Sequence, residues 1–196
     1  MNSSILDFST VDWNEMGQAT WETIWVTLVA VIFTAFLGLL IGLLLFETRN
    51  SKNWGIRLIN WLVSFLVNVF RSIPYIILIV ILIPVTNVLV HTIVGPTAAL
   101  PSLILAAAPF FGRLVEIAFR EIDSGVLEAA AAMGAKKSTI IFKVLLPESM
   151  PALVSGLTVT AISLVGYTAM AGQSGPAVWE RWLTIMVFCN ITEPLS

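Results

Sequence analysis

Reactive side chains are sparse in this chain, and their types limit the chemistry that it could perform. The sequence holds one histidine, His91, and one cysteine, Cys189, which excludes a disulfide within the chain and argues against a metal site. No nucleophile is spaced with a base and an acid as covalent catalysis would require. We therefore predict that the chain is not an enzyme and that it needs no cofactor. Its polar residues should make non-covalent contacts and carry out no covalent chemistry.

The stretch 120–148 is the largest polar island in the chain and holds Glu128. Ala129 to Met133 favour a helix, and Gly134 can end it because glycine adopts the left-handed conformation readily. Ser138 is a candidate cap for a second helix, which Pro147 would close. The pattern predicts a helix, a sharp turn and a second helix. On shape alone, an ordinary loop explains it equally well.

The rest of the chain must position this island, and its composition is that of a membrane protein. Hydrophobic residues make up 58% of the 196 residues and charged residues 11%, which predicts an all-α polytopic bundle. Four apolar stretches are long enough to cross a bilayer. We place these spans at about 24–46, 62–84, 97–118 and 150–172.

The second span is interrupted by Arg71 and Pro74, and two interpretations compete. Either 58–70 is an interfacial helix and the span begins near Ile73, or Arg71 faces the bundle interior within one kinked span. We favour a single span over 62–84. A structural role within the membrane is expected for Arg71 and Pro74 before any contact with a substrate.

Charge distribution orients the chain. Basic residues lie in the loops 47–57 and 120–148, whereas the N-terminal segment 1–20 and the short turn 84–96, which contains His91, have no Lys or Arg. By the positive-inside rule, both basic loops are cytoplasmic and the N-terminus is outside.

Two pairs of residues are candidates for helix packing. Gly38 and Gly42 form a small-xxx-small motif that lets another helix approach closely. Arg113 and Glu116 are three residues apart, so they can pair on one helical face.

Five segments between about 21 and 172 are distinctive: Val69–Pro74, Ala107–Phe110, Ala132–Ala135, Val144–Glu148 and Leu164–Met170. Together they resemble the permease of methionine ATP-binding-cassette (ABC) importers. The polar island resembles the coupling loop of importer permeases, with Val144 where the family usually has isoleucine. The resemblance implies the type I permease fold in the cytoplasmic (inner) membrane. It also implies ATPase coupling through Glu128, Ala129, Ala130, Gly134, Leu146 and Pro147.

The same resemblance implies partners and a substrate. A second copy of the permease, two ATPase subunits and an external substrate-binding lipoprotein are expected, with methionine as the cargo. Tyr167 and Met170 are three residues apart in the fourth span and are candidates for the substrate pathway. Their ring, hydroxyl and thioether suit a sulfur-containing amino acid, although ordinary helix packing explains either residue alone.

The segment 173–196 departs from the family, which continues with a glycine-rich turn and a fifth span. A one-nucleotide deletion at the Gly172 codon would explain the difference. Codons for the tail can be chosen that encode a glycine-rich turn in the neighbouring frame, and Trp179 followed by Glu180 forces a glycine codon there. We expect an out-of-frame tail and, with four spans in place of five, a poorly assembled or inactive permease.

Two other functions remain open from the sequence. The chain could be a permease for another small amino acid or metabolite, because the coupling loop would be the same. It could also be a membrane channel or scaffold without an ATPase, although such a protein has no need of the Glu128, Gly134 and Pro147 spacing.

Overall fold

The computed structural model describes residues 13–49, 53–91 and 96–173. The regular structure of these segments is helical. The predictions for residues 1–12 and for the tail after residue 173 lie outside the described residues. In chain order the elements are α1 Trp13–Arg49, α2 Trp54–Ser72, α3 Tyr75–Ile81, α4 Ile83–Val90, α5 Pro96–Arg120, α6 Ser124–Ala132, α7 Lys137–Ile140, a π-helical turn Ile141–Leu145 and α8 Leu146–Gln173.

Three of these helices are long and apolar enough to cross a membrane. They are α1, α5, and α8 together with the residues from Lys137 that lead into it. The all-α membrane bundle is therefore confirmed. α1 begins at Trp13, well before the predicted start of the first span at 24, and its first turns are exposed. The prolines Pro101 and Pro109 lie inside α5.

The second apolar region, predicted as one kinked span over 62–84, is divided between two helices. α2 and α3 meet at an angle of 110°, so a fourth crossing exists only if the two form one broken span. Pro74 explains the break, because its ring pushes Ile73 out of the helical region. Ile73 accordingly has φ −85° and ψ 123°.

The predicted turn over 84–96 is also wrong in its first half, which forms α4. This helix ends at Val90, and His91 follows with φ 56°. A left-handed residue there is a common way to end a helix.

α1 and α5 pack closely because glycines remove side chains from their contact. A Cβ atom placed on Gly42 would lie 2.5 Å from Val115 Cβ, and one on Gly38 would lie 2.6 Å from Phe111 Cδ1. Gly112 has the same role on α5, facing Ile41. The predicted small-residue motif is confirmed as a helix-packing surface.

Two hydrophobic clusters lie between α1, α5 and α8. The upper cluster is built on Val26, Ala30, Tyr75, Leu103, Ala107 and Leu164. The lower cluster is built on Phe111, Val115, Ala118, Phe119, Leu145 and Leu153. Close to the lower cluster, Arg113 and Glu116 form the predicted ion pair.

Candidate functional site

The first helix of the polar island is closed at both ends by local hydrogen bonds. The Asp123 carboxylate accepts a bond from Gly125 N at 2.8 Å and caps the start of α6. At the other end Gly134 has φ 79°. The N–H of Gly134 bonds to Ala131 O at 2.9 Å and that of Ala135 to Ala130 O at 3.2 Å. This pair is a Schellman motif, so the predicted stop at Gly134 is confirmed.

The second helix differs from its prediction at its start. Lys136, not Ser138, is the residue before its first turn, and no side chain caps it. The predicted cap is therefore wrong, because Ser138 already lies within α7.

Pro147 does not close this helix either. The chain continues from α7 through the π-helical turn into α8, with Leu146 N–H bonded to Ile141 O. A proline inside an α-helix clashes with the carbonyl four residues earlier. The wider π turn immediately before Pro147 relieves that constraint, and Pro147 becomes part of the first turn of α8.

The structure distributes the predicted coupling residues between the surface and the interior. Glu128, Ala129, Gly134 and Pro147 are exposed, whereas Ala130 is buried and Leu146 is half-buried. Two apolar side chains that were not predicted as site residues are also exposed here. Met133 is 82% exposed and Phe142 is 67% exposed, which is typical of a surface that another protein covers.

The interior side of the polar island is anchored in the lower cluster. Leu145 is 1% exposed and belongs to that cluster. Leu127 from α6 and Ile141 from the π turn pack against it. Because packed interiors transmit displacement rather than absorb it, a force on the exposed side of the island would reach α5 and α8.

The candidate pathway residue Tyr167 lies in an aromatic contact. Its ring stacks on the ring of Tyr75, with centroids 4.5 Å apart and planes 15° apart. The Tyr75 hydroxyl lies 3.3 Å from Ser102 Oγ. Met170, one turn further along α8, is 50% exposed. The structure thus places Tyr167 half inside the bundle and Met170 towards its surface.

Arg71 lies in the last turn of α2, immediately before the break at Pro74. Its guanidinium carbon is 5.8 Å from the centroid of the Phe110 ring on α5, within the range of a cation–π contact. The side chain of Arg71 is exposed in the single chain. Pro74 itself is exposed and precedes the first residue of α3.

Tyr75, Ser102 and Phe110 were missed as site residues. Pro74 provides a signal for the first of them, since a helix that stops before a proline makes Tyr75 the start of a new one. Ser102 and Phe110 have no such signal, because their contacts arise only when α5 meets α2 and α3. Within the described segments, no three His, Cys, Asp or Glu side chains lie together as a metal site would require.

Comparison with known proteins identifies the family. Residues 51–181 match the family described as "Binding-protein-dependent transport system inner membrane component". The methionine import system permease protein MetP of Bacillus subtilis is 55% identical over 168 residues, which cover 86% of this chain and 76% of that protein. The D-methionine transport system permease protein MetI of Yersinia pestis is 49% identical, covering 80% and 72%.

Solved structures agree with these relatives. A chain from an inward-facing structure of the MetNI methionine ABC transporter superposes with a TM-score of 0.77 at 45% identity, covering 84% of this chain and 78% of that one. A chain from an amino acid ABC transporter with histidines gives a TM-score of 0.55 at 20% identity, which shows a shared fold only. This chain is therefore a membrane permease that belongs to the family of binding-protein-dependent transport system inner membrane components.

Proposed function

We propose that this chain is the permease of an ATP-driven importer for methionine, in its D or L form, or a related amino acid. The observation that carries this proposal is the anchored helix–turn–helix around Gly134, which exposes Glu128 and buries Leu145 in the lower cluster. Relatives that are 55% and 49% identical are methionine permeases, which supports the substrate.

The exposed side of the polar island is the proposed docking surface for the ATPase. This surface contains the exposed residues Glu128, Ala129, Gly134 and Pro147, and the side chains of Met133 and Phe142 add apolar area to it. Ala130 and Leu146 act from the interior side, where they hold the two helices against the bundle. ATP binding by the partner would move this surface, and the lower cluster would carry the movement into α5 and α8 as a rigid-body change.

The assembly that we propose contains two copies of the permease, two ATPase subunits and an external substrate-binding lipoprotein. The permease domain comprises residues 21–172 in the cytoplasmic membrane, with residues 1–20 outside and the coupling loop 120–148 in the cytoplasm. Basic residues in the loops 47–57 and 120–148 support this orientation.

Methionine uptake by reconstituted proteoliposomes tests the function. The chain is combined with an ATPase subunit and binding protein from its own source, and uptake of labelled methionine is measured with and without ATP. Because the tail 173–196 is expected to weaken assembly, the frame-restored chain is assayed beside the original one. ATP-dependent uptake by the frame-restored chain that unlabelled methionine suppresses is the expected result. Uptake of a different amino acid would overturn the substrate, and failure of the frame-restored chain to bind any ATPase subunit would overturn the coupled function in favour of a scaffold.

Tyr167 and Met170 are the proposed lining of the substrate pathway. Replacing both with alanine should lower methionine uptake and change which amino acids compete for it, because their polarizable groups suit a thioether. Val165→Ala, at an exposed position of the same helix, is the matched control. Unchanged uptake and an unchanged competition profile in the double variant would contradict the assignment.

The tail 173–196 is, in our proposal, the product of a one-nucleotide deletion at the Gly172 codon, and it weakens assembly. Sequencing the gene tests the first part, since the neighbouring frame must then encode a glycine-rich turn. Restoring that frame tests the second part. Equal ATPase binding and uptake by the original and the frame-restored chains would contradict the effect on assembly.

A further inference from the structure

Arg71 is an isolated cation in a long apolar region. Between Arg57 and Arg113 the sequence contains no other Asp, Glu, Lys or Arg. Among the described residues, the ion pairs are Arg113 with Glu116 and Lys137 with Glu47, so no described carboxylate neutralises Arg71. Its described contact is the Phe110 ring, which leaves the hydrogen-bond donors of the guanidinium available.

The contact with Phe110 also places this cation beside the middle part of α5. Phe110 lies ten residues before the end of α5 at Arg120 and fourteen residues after its start at Pro96. At 1.5 Å per residue, the nearer end of the helix is roughly 15 Å away, about half the thickness of a hydrocarbon core. In the membrane-spanning orientation proposed for α5, Arg71 therefore lies closer to the middle of the hydrocarbon core than to its edge, where an unpaired cation is unfavourable.

A polar face of α2 leads towards Arg71. Asn60, Ser64, Asn68 and Arg71 are spaced by four, four and three residues, so they follow one side of the helix. Asn60 is tied to the last turns of α1 by bonds from its Nδ2 to Leu45 O at 3.0 Å and Thr48 Oγ1 at 2.9 Å. Asn68 is exposed in the single chain. Polar side chains inside a membrane protein commonly line a path for polar cargo.

After the break at Pro74, the chain leads from Arg71 to the stacked rings of Tyr75 and Tyr167. Tyr75 follows Arg71 by four residues and stacks on Tyr167. Ser102, which contacts the Tyr75 hydroxyl, lies on α5 two turns from Phe110. Broken helices near the midplane are where transporters place their substrate sites, and here the break separates a cation from an aromatic pair.

We propose that Arg71 binds the α-carboxylate of the amino acid during its passage, with Phe110 holding the guanidinium in place and Tyr75 and Tyr167 near the substrate side chain. A guanidinium offers two parallel donors that match a carboxylate. The anion would also neutralise a charge that is otherwise unfavourable at this depth. This inference rests on the proposed function, and it replaces the purely structural role expected for Arg71 from the sequence.

Direct binding of methionine and methioninamide tests the proposal. The complex of this chain with its ATPase subunit, without the binding protein, is incorporated in lipid nanodiscs, and labelled methionine is measured by equilibrium dialysis. Methioninamide, which lacks the carboxylate, is the competitor. The Arg71→Gln variant should bind methionine about tenfold to a hundredfold more weakly, the range for a lost charged hydrogen bond. Competition by methioninamide should be unchanged.

Two further variants distinguish the loss of a contact with the substrate from a loss of folding or assembly. Arg71→Lys should recover part of the affinity, because lysine keeps the charge and loses the fork. Arg57→Gln removes an exposed charge at the cytoplasmic end of the same helix and should bind methionine normally. If a variant does not assemble, the same substitutions are made in the frame-restored chain.

The results that would contradict the inference differ from those that would contradict the proposed function. Unchanged methionine affinity in Arg71→Gln, or an equal loss for methionine and methioninamide, would overturn the inference and leave the proposed function in place. A rise in the thermal unfolding midpoint of the unaltered complex on adding phospholipid, which Arg71→Gln abolishes while methionine affinity is unchanged, would assign the arginine to a lipid phosphate instead. If the frame-restored complex binds no methionine but imports it with ATP, the inference fails alone. If it neither binds nor imports methionine, the proposed function fails as well.

Discussion

Glu128 is the residue on which coupling to an ATPase should depend most directly. Its carboxylate is exposed on α6, so removing the charge should leave the fold intact. We predict that Glu128→Gln lowers ATPase binding by about tenfold, the effect of losing one charge-assisted contact. Affinity co-purification with the ATPase subunit measures it. Glu121→Gln, also exposed and just before α6, should bind the ATPase normally, and an equal loss in both variants would contradict a specific role for Glu128.

Gly134 tests whether the shape of the turn matters apart from charge. Its φ of 79° is unfavourable for any residue with a Cβ atom. Gly134→Ala should therefore destabilise the turn by about 1 kcal/mol and weaken ATPase binding without unfolding the bundle. The midpoint of thermal unfolding in detergent and ATPase binding are measured together. Gly55→Ala places the same methyl group in open space and should do neither; full ATPase binding by Gly134→Ala would show that the turn tolerates a different conformation.

Residue-level prediction succeeded where one residue type has a local physical consequence. Gly134 could be assigned because glycine alone takes a positive φ readily. The predicted helix cap at Ser138 was wrong, because the first residue of α7 depends on the direction in which the chain leaves the Schellman motif. Similarly, Tyr75 and Ser102 meet across 27 positions of sequence, and no local pattern indicates a contact of that kind.

At the scale of elements, the contact between α1 and α5 depends on missing side chains. We predict that Gly42→Ala destabilises the permease by roughly 1–3 kcal/mol, the usual effect of overpacking. Its Cβ atom would lie 2.8 Å from the Gly112 carbonyl oxygen as well as against Val115, so no side-chain rotation relieves it. Thermal unfolding in detergent measures the change. Gly17→Ala on the same helix meets nothing within 4 Å, and equal stability of the two variants would contradict close packing at Gly42.

Element boundaries were predicted well for α5 and poorly for α2, α3 and α4. The span at 97–118 agrees with Pro96–Arg120 because Pro96 is a residue that can begin a helix and Arg120 follows the last apolar residues. Hydropathy stays high through 74–90, so it gives no sign of the 110° change in direction. The π turn was missed for a related reason. Pro147 indicates that the regular α-helix is interrupted, but a helix end and a π turn are both compatible with a proline at this position.

At the scale of the whole molecule, the polar island and the candidate pathway lie on opposite ends of one packed unit. Leu145 connects the island to the lower cluster, while Tyr75 and Leu164 belong to the upper cluster. α5 and α8 contribute to both clusters. A displacement at the island therefore reaches the aromatic contact through helices rather than loops, and this arrangement suits a permease driven from the cytoplasm.

The orientation of the molecule is the last prediction. In a Cys189→Ser background, single cysteines are placed at Thr20 and Ser138, both exposed positions, and intact cells are treated with a membrane-impermeant maleimide. Since the basic loops should be cytoplasmic, we expect Thr20→Cys to react in intact cells and Ser138→Cys to react only after lysis. Ser138→Cys should then lose its reactivity when the ATPase subunit is bound, because the docked subunit covers α7. Labelling of Ser138→Cys in intact cells would reverse the topology and remove the polar island from the ATPase.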